Sequence, residues 1–162
     1  MKRNFKLVLA ALLAISLFLA ATSVWAGTRM GTLGPSVNQA KKTGDGNKTI
    51  NMGDATFTIV TSDPGYTLDV QRTKTPNSFF GAPPSGLAYL SSGFMVSTKS
   101  TGAALITACF AYTPQAAAKN AAIYVFSGGS WTYLGGTVSG NPATICASSS
   151  VTDGGFALLG DK

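Results

Sequence analysis

From Thr49 to the end of the chain, short runs of alternating apolar and polar residues are separated by turn residues. The breaks recur roughly every eight to twelve positions, which is the pattern of a β-sandwich or small barrel. The runs that predict strands are Thr49 to Met52, Ala55 to Val60, Thr67 to Arg72, Gly93 to Thr98, Ala103 to Tyr112, Ala121 to Phe126, Trp131 to Leu134, Thr144 to Ser148 and Gly155 to Leu159. In Ala103 to Tyr112 both parities are largely apolar, so this run belongs in the middle of a sheet. In the pair Ala121 to Phe126 and Trp131 to Leu134, the aromatics Tyr124, Phe126, Trp131 and Tyr133 can share one face of a hairpin, either core or binding surface.

The punctuation agrees with these runs. Asp63-Pro64-Gly65 is a turn, because Pro presets φ and Gly accepts a positive φ. Ser127-Gly128-Gly129-Ser130 joins the two aromatic runs as a hairpin, and Asp153-Gly154-Gly155 breaks the chain before the last strand. Pro83-Pro84-Ser85-Gly86, after Phe79-Phe80-Gly81, reads as a rigid loop crossing from one sheet to the other. One short connector helix is expected: Thr113 caps it, Pro114 takes the first position, Gln115 to Lys119 continues it and Asn120 stops it in the left-handed region. The fold class is therefore all-β, a two-sheet antiparallel sandwich of about eight to nine strands with one short connector helix.

The first 26 residues follow a different pattern. Lys2, Arg3 and Lys6 precede an apolar stretch from Leu7 to Ala21, and Val24-Trp25-Ala26 offers a signal-peptidase site. The stretch is short for a membrane span and lacks a basic stop-transfer flank. Residues 1–26 are therefore expected to be a signal peptide cleaved after Ala26, giving a secreted or periplasmic chain with no stable membrane anchor. Residues 27–48, rich in Gly, Ser, Asn, Gln and Lys, are expected to be a flexible N-terminal segment or a loosely attached edge. Residues 49–162 form the sandwich domain. Without Lys2, Arg3 and Lys6, nine basic residues of 12 remain against six acids, a net of +3. So mild a charge, with no run beyond Lys41-Lys42, does not make a nucleic-acid interface.

Cys109 and Cys146 are the two cysteines of the chain. Export takes them through an oxidising compartment, where a single disulfide is the natural pairing. The link is expected to pin the two sheets to one another. A loop of about 37 residues closed this way is worth roughly 3 to 4 kcal/mol in the chain-entropy account.

The second half has a recognisable order: Ile106-Thr107-Ala108-Cys109-Phe110-Ala111-Tyr112, a Pro-started insert, Ala122-Ile123-Tyr124-Val125-Phe126, Gly128-Gly129-Ser130-Trp131, and a closing Gly155-Phe156-Ala157-Leu158-Leu159-Gly160. It resembles the C-terminal half of a β-sandwich domain of exported bacterial proteins, similar to the sandwich that ankyrins and netrin receptors use to hold partners. Pro83-Pro84-Ser85-Gly86-Leu87 before Gly93-Phe94-Met95-Val96 extends the likeness to Thr49 to Gly160. The resemblance implies a non-catalytic, partner-holding module, although fold alone does not carry function.

The residue inventory excludes most chemistry. The chain has no His, and its six acids are all Asp: Asp45, Asp54, Asp63, Asp69, Asp153 and Asp161. A Ser-His-Asp or Cys-His arrangement needs an imidazole to take and return a proton. No Ser stands three residues before a Lys after the leader, so a Ser-x-x-Lys nucleophile is missing as well. Paired carboxylates for glycoside hydrolysis find only Asp54 and Asp69 near strands. Calcium could use Asp45 and Asn47 in Asp45-Gly46-Asn47, but a turn is the better reading of that stretch, and no cofactor is expected. Asn47-Lys48-Thr49 matches a glycosylation sequon, which in a chain with a bacterial-type leader is best read as chance.

Three functions follow as expectations. The first is a non-enzymatic exported structural or interaction module, a subunit of a surface or extracellular assembly. It would hold a protein partner or self-associate through a sheet edge, with Gly27 to Asn47 as a pairing strand. The second is a carbohydrate or small-ligand binding domain using Trp131, Tyr133, Tyr124 and Phe126 as a stacking face, with Trp131 either core or platform. The third is an eight-stranded outer-membrane barrel, for which several runs are short and the chain end lacks an aromatic.

Overall fold

The computed structural model describes residues 39–44, 46–151 and 153–162. The expected signal peptide and most of the expected flexible segment lie outside them. Among the described residues, twelve strands and two short helices follow in order: β1 Gln39–Thr43, β2 Lys48–Asn51, β3 Ala55–Thr61, β4 Thr67–Thr73, α1 Pro76–Phe80, β5 Leu87–Tyr89, β6 Gly93–Lys99, β7 Ala104–Ala111, α2 Pro114–Ala118, β8 Ala122–Ser127, β9 Ser130–Gly135, β10 Thr137–Ser139, β11 Thr144–Ser149 and β12 Asp153–Asp161. All pairings are antiparallel. A seven-stranded sheet runs β1-β4-β6-β12-β8-β9, with β5 pairing β12 beyond the end of β6, and a five-stranded sheet runs β10-β11-β7-β3-β2. This is a β-sandwich; the sheets do not close into the barrel held as a third expectation, and the space between them is filled with side chains.

The core forms because β3, β6, β7 and β12 each send a phenylalanine inward. Phe57 and Phe110 of the five-stranded sheet meet Phe94 and Phe156 of the seven-stranded one, with ring centroids 5.2 Å apart for Phe57–Phe94, 5.8 Å for Phe57–Phe156 and 5.7 Å for Phe94–Phe110. All four are fully buried. Burying a side chain of this size is worth about 1.5 to 3 kcal/mol, so the interlock is a substantial part of what attaches one sheet to the other. One polar tie joins it. Asp54, in the turn between β2 and β3, pairs with Arg72 of β4, whose guanidinium also lies 5.4 Å from the centre of the Phe94 ring.

Each of the nine expected runs is a strand, with ends shifted by a residue or two, and β7 is the central strand of its sheet as the two-sided apolar pattern requires. The expected helix is also present as α2. Thr113 accepts a hydrogen bond from Ala116 N at 3.2 Å, and Asn120 has φ 49°. The three further strands are β1, β5 and β10, of three to five residues, which bury too little to show an alternation. Strand β1 falls within the segment expected to be flexible, and its register with β4 runs from Gln39↔Gln71 to Thr43↔Thr67. Its hold on the core is Ala40 alone, and an edge strand needs no more.

Three expectations need correction. The disulfide does not pin the two sheets together. Cys109 and Cys146 face each other in register on β7 and β11, adjacent strands of the same sheet, with Cα atoms 4.1 Å apart. The loop Pro83-Pro84-Ser85-Gly86 does not cross between sheets, because it joins α1 to β5 and β4, β5 and β6 all belong to the seven-stranded sheet, with Phe80 of α1 lying on that sheet's outer face. Nor does Gly154-Gly155 break the chain, for both residues lie inside β12. A Cβ on Gly155 would come within 2.4 Å of the Phe80 ring, so glycine here makes room for a covering ring rather than for a turn.

Candidate functional site

The hairpin β8–β9 is built as its sequence dictates. Gly128 and Gly129 have φ 59° and 83°, the doubly positive turn that matches strand twist, and Ser127 pairs with Ser130 across it. Register then places Phe126 opposite Trp131 and Tyr124 opposite Tyr133. Ile123 and Val125 point into the core, so all four aromatics lie on the outer face of the seven-stranded sheet. The structure thus brings together every residue of the expected hairpin face.

The face has a covered end and an open end. At the covered end, Phe80 of α1 descends onto the sheet between Gly93 and Gly155, where a Cβ on either glycine would meet its ring at 2.5 or 2.4 Å. Phe80 lies 5.9 Å from Phe126 and 5.8 Å from Trp131, and Tyr89 meets Trp131 edge-on at 5.9 Å. Trp131 is therefore neither inter-sheet core nor free platform: it is half-buried in a second aromatic cluster outside the sandwich. Its Nε1 is enclosed and makes no hydrogen bond to a protein group. At the open end, Tyr124 and Tyr133 pack edge-on at 5.3 Å and Tyr133 is 64% exposed. Burial, then the neighbouring Tyr133 and Asp161, raises the Tyr124 phenol above its ordinary value, so the Tyr124 ring is neutral across the physiological range.

Sequence reasoning missed Phe80, Tyr89 and the 64%-exposed Phe79, all placed in what reads as a loop. The available signal was Pro76 opening a helical turn that ends at Gly81. Beside the covered cluster lies a shallow groove of about 500 Å³, lined by Asn77, Pro83, Leu87, Tyr89 and Lys162 among others.

Among the described residues, strand β9 is the terminal strand of its sheet, so along one side its backbone donors and acceptors have no strand partner there. Its six residues, Ser-Trp-Thr-Tyr-Leu-Gly, carry no charge. The opposite terminal strand, β1, carries Lys41 and Lys42, a common protection against pairing with other chains.

Asp54, Asp63, Asp69 and Asp161 are occupied structurally. Asp54 holds Arg72, Asp69 accepts from the Gln39 amide and Asp161 accepts from Asn120 Nδ2 at 2.7 Å. Asp63 accepts Thr101 N at 2.6 Å and Gly65 N at 2.8 Å, clipping the β3–β4 connection to the β6–β7 connection. Those two amides, Thr101 first, hold its carboxyl below the usual range. Of the calcium candidates, Asp45 lies outside the described residues and Asn47 is exposed next to β2. Comparison with models of protein families, with curated proteins and with solved structures finds no match to this chain.

Proposed function

We propose that this chain is a non-enzymatic exported interaction module that holds an extended segment of a protein partner along the edge of β9. The observation that carries this reading is an uncharged, six-residue terminal strand beside a row of aromatic side chains. In strand addition, main-chain hydrogen bonds supply affinity while side chains of alternate parity are read by the neighbouring surface. Here Tyr133, Tyr124 and Trp131 line one flank of the edge. The disulfide suits an oxidising compartment, and with the leader-like first 26 residues it favours a secreted or periplasmic location. The likeness of the second half to partner-holding sandwiches points the same way.

The test places a photo-crosslinking side chain at Thr132, exposed on β9, and at Thr101, exposed in the β6–β7 connection, in cells exporting the protein. Thr132 is expected to give a covalent adduct of defined mass that Thr101 does not. Equal labelling from both positions rejects the edge as the contact.

A second reading, a carbohydrate-binding face, is favoured by the open Tyr133 ring beside Tyr124. In that case added oligosaccharide shifts the fluorescence of Trp131, the single Trp beyond residue 26, and Tyr133→Ala weakens the response. A Trp131 signal indifferent to glycans removes this alternative.

A further inference from the structure

The outer face of the five-stranded sheet has an unusual composition. Register sets Thr49, Thr58, Thr107 and Ser148 in a single row across β2, β3, β7 and β11. Their hydroxyls bond in pairs, Thr49 to Thr58 at 2.9 Å and Thr107 to Ser148 at 2.8 Å. On one side of this row lies the Cys109–Cys146 link; on the other, Val60 stands beside Leu105, 44% and 43% exposed. Lys48 is the one charged residue in these four strands, and it sits on the opposite parity, in register with buried Ile59. The outward positions hold no charge and no aromatic ring.

We propose that this face packs against the same face of a second copy, two five-stranded sheets back to back about a twofold axis. Charge is the first argument. A net-positive chain approaches its own copy at lowest cost through a neutral surface, whereas a nucleic acid or a charged peptide would need ions on the face that are not there. A flat sugar would need an aromatic platform, which lies on the other sheet. The second argument is desolvation. Hydroxyls already bonded to one another within the face lose little when water leaves, so the usual penalty for covering polar groups is largely met in advance. Area is the third. Strands of three to eight residues, about 4.8 Å apart and rising about 3.3 Å per residue, give this face a footprint of roughly 450 Å². That is a little over half of the roughly 800 Å² per partner of a standard interface, the size of a weak, reversible dimer and not of a permanent one. Twisted sheets of the same hand also stack face to face with modest rotation, as in any aligned sandwich.

The proposal is tested by sedimentation velocity on the exported, folded protein across a micromolar concentration series. A reversible rise from monomer to dimer mass is expected. Leu105→Lys and Ser148→Lys, both at exposed positions, each weaken association by about tenfold or more. Mixing Leu105→Lys with Leu105→Glu restores it, with circular dichroism showing every variant folded as the parent. A parent that remains monomeric throughout overturns the proposal, and so does a dimer that survives both lysine variants. A dimer lost on Tyr133→Lys but kept in Leu105→Lys assigns assembly to the β9 side and likewise overturns it. A dimer of the expected kind with no crosslink at Thr132 leaves this inference standing while the β9 reading falls.

Discussion

Removing one partner of the Asp54–Arg72 pair should be far more damaging than removing the other. Arg72 has a side chain only 9% exposed, beneath the loop between β2 and β3, whereas Asp54 is 32% exposed. Asp54→Ala leaves a guanidinium enclosed without its counter-charge. Arg72 Nε already makes no hydrogen bond to a protein group, so there is little spare compensation. Breaking a buried pair from one side costs about 3 to 5 kcal/mol, and the partial exposure of Asp54 brings the expectation to about 3. Arg72→Met keeps an apolar stem over the Phe94 ring and leaves Asp54 close enough to water to hydrate, so the expected cost is about 1 kcal/mol or less. The double variant should resemble Arg72→Met alone, because the loss in Asp54→Ala comes from the stranded cation. Urea unfolding measures this directly. With a slope of about 2 kcal/mol per molar, Asp54→Ala lowers the midpoint by about 1.5 M and the other two by about 0.5 M or less. If Arg72→Met proves as destabilising as Asp54→Ala, the asymmetry is absent and the account of this tie is wrong.

Replacing both cysteines by alanine should lower stability by about 3 to 4 kcal/mol through the unfolded chain while near-ultraviolet dichroism stays native, because β7 and β11 remain paired and the phenylalanine interlock is untouched; a double variant with loosened inter-sheet packing contradicts this. Gly155→Ala should cost about 1 to 3 kcal/mol by lifting Phe80, and should shift Trp131 emission to the red; an unshifted spectrum means that Phe80 does not cover the indole. The depressed carboxyl of Asp63 stabilises the fold above its unfolded value, near pH 4, and that contribution disappears as pH falls through the folded value. Asp63→Asn should therefore flatten the melting-temperature curve below about pH 4, and an acid limb identical to that of the parent would show that the clip carries no proton linkage.

Strand identity was legible because a residue facing a core and a residue facing water differ in polarity, and a strand alternates them every second position. The cap Thr113, the stop Asn120, the Gly128-Gly129 turn and the shared face of Tyr124, Phe126, Trp131 and Tyr133 are likewise local consequences of backbone geometry. Whether the cysteines join one sheet or two was not legible, since parity says which way Cys109 points but not whether β11 lies beside β7 or across from it. The same limit hid the placement of Phe80, because Gly93 and Gly155 are neighbours only after β6 and β12 pair. The row Thr49, Thr58, Thr107 and Ser148 exists only once four strands distant in the chain take their register. The alternation of side chains sets the elements and their faces; the order of strands, and therefore every site made of two or more of them, is decided by long-range packing that no single stretch of the chain encodes.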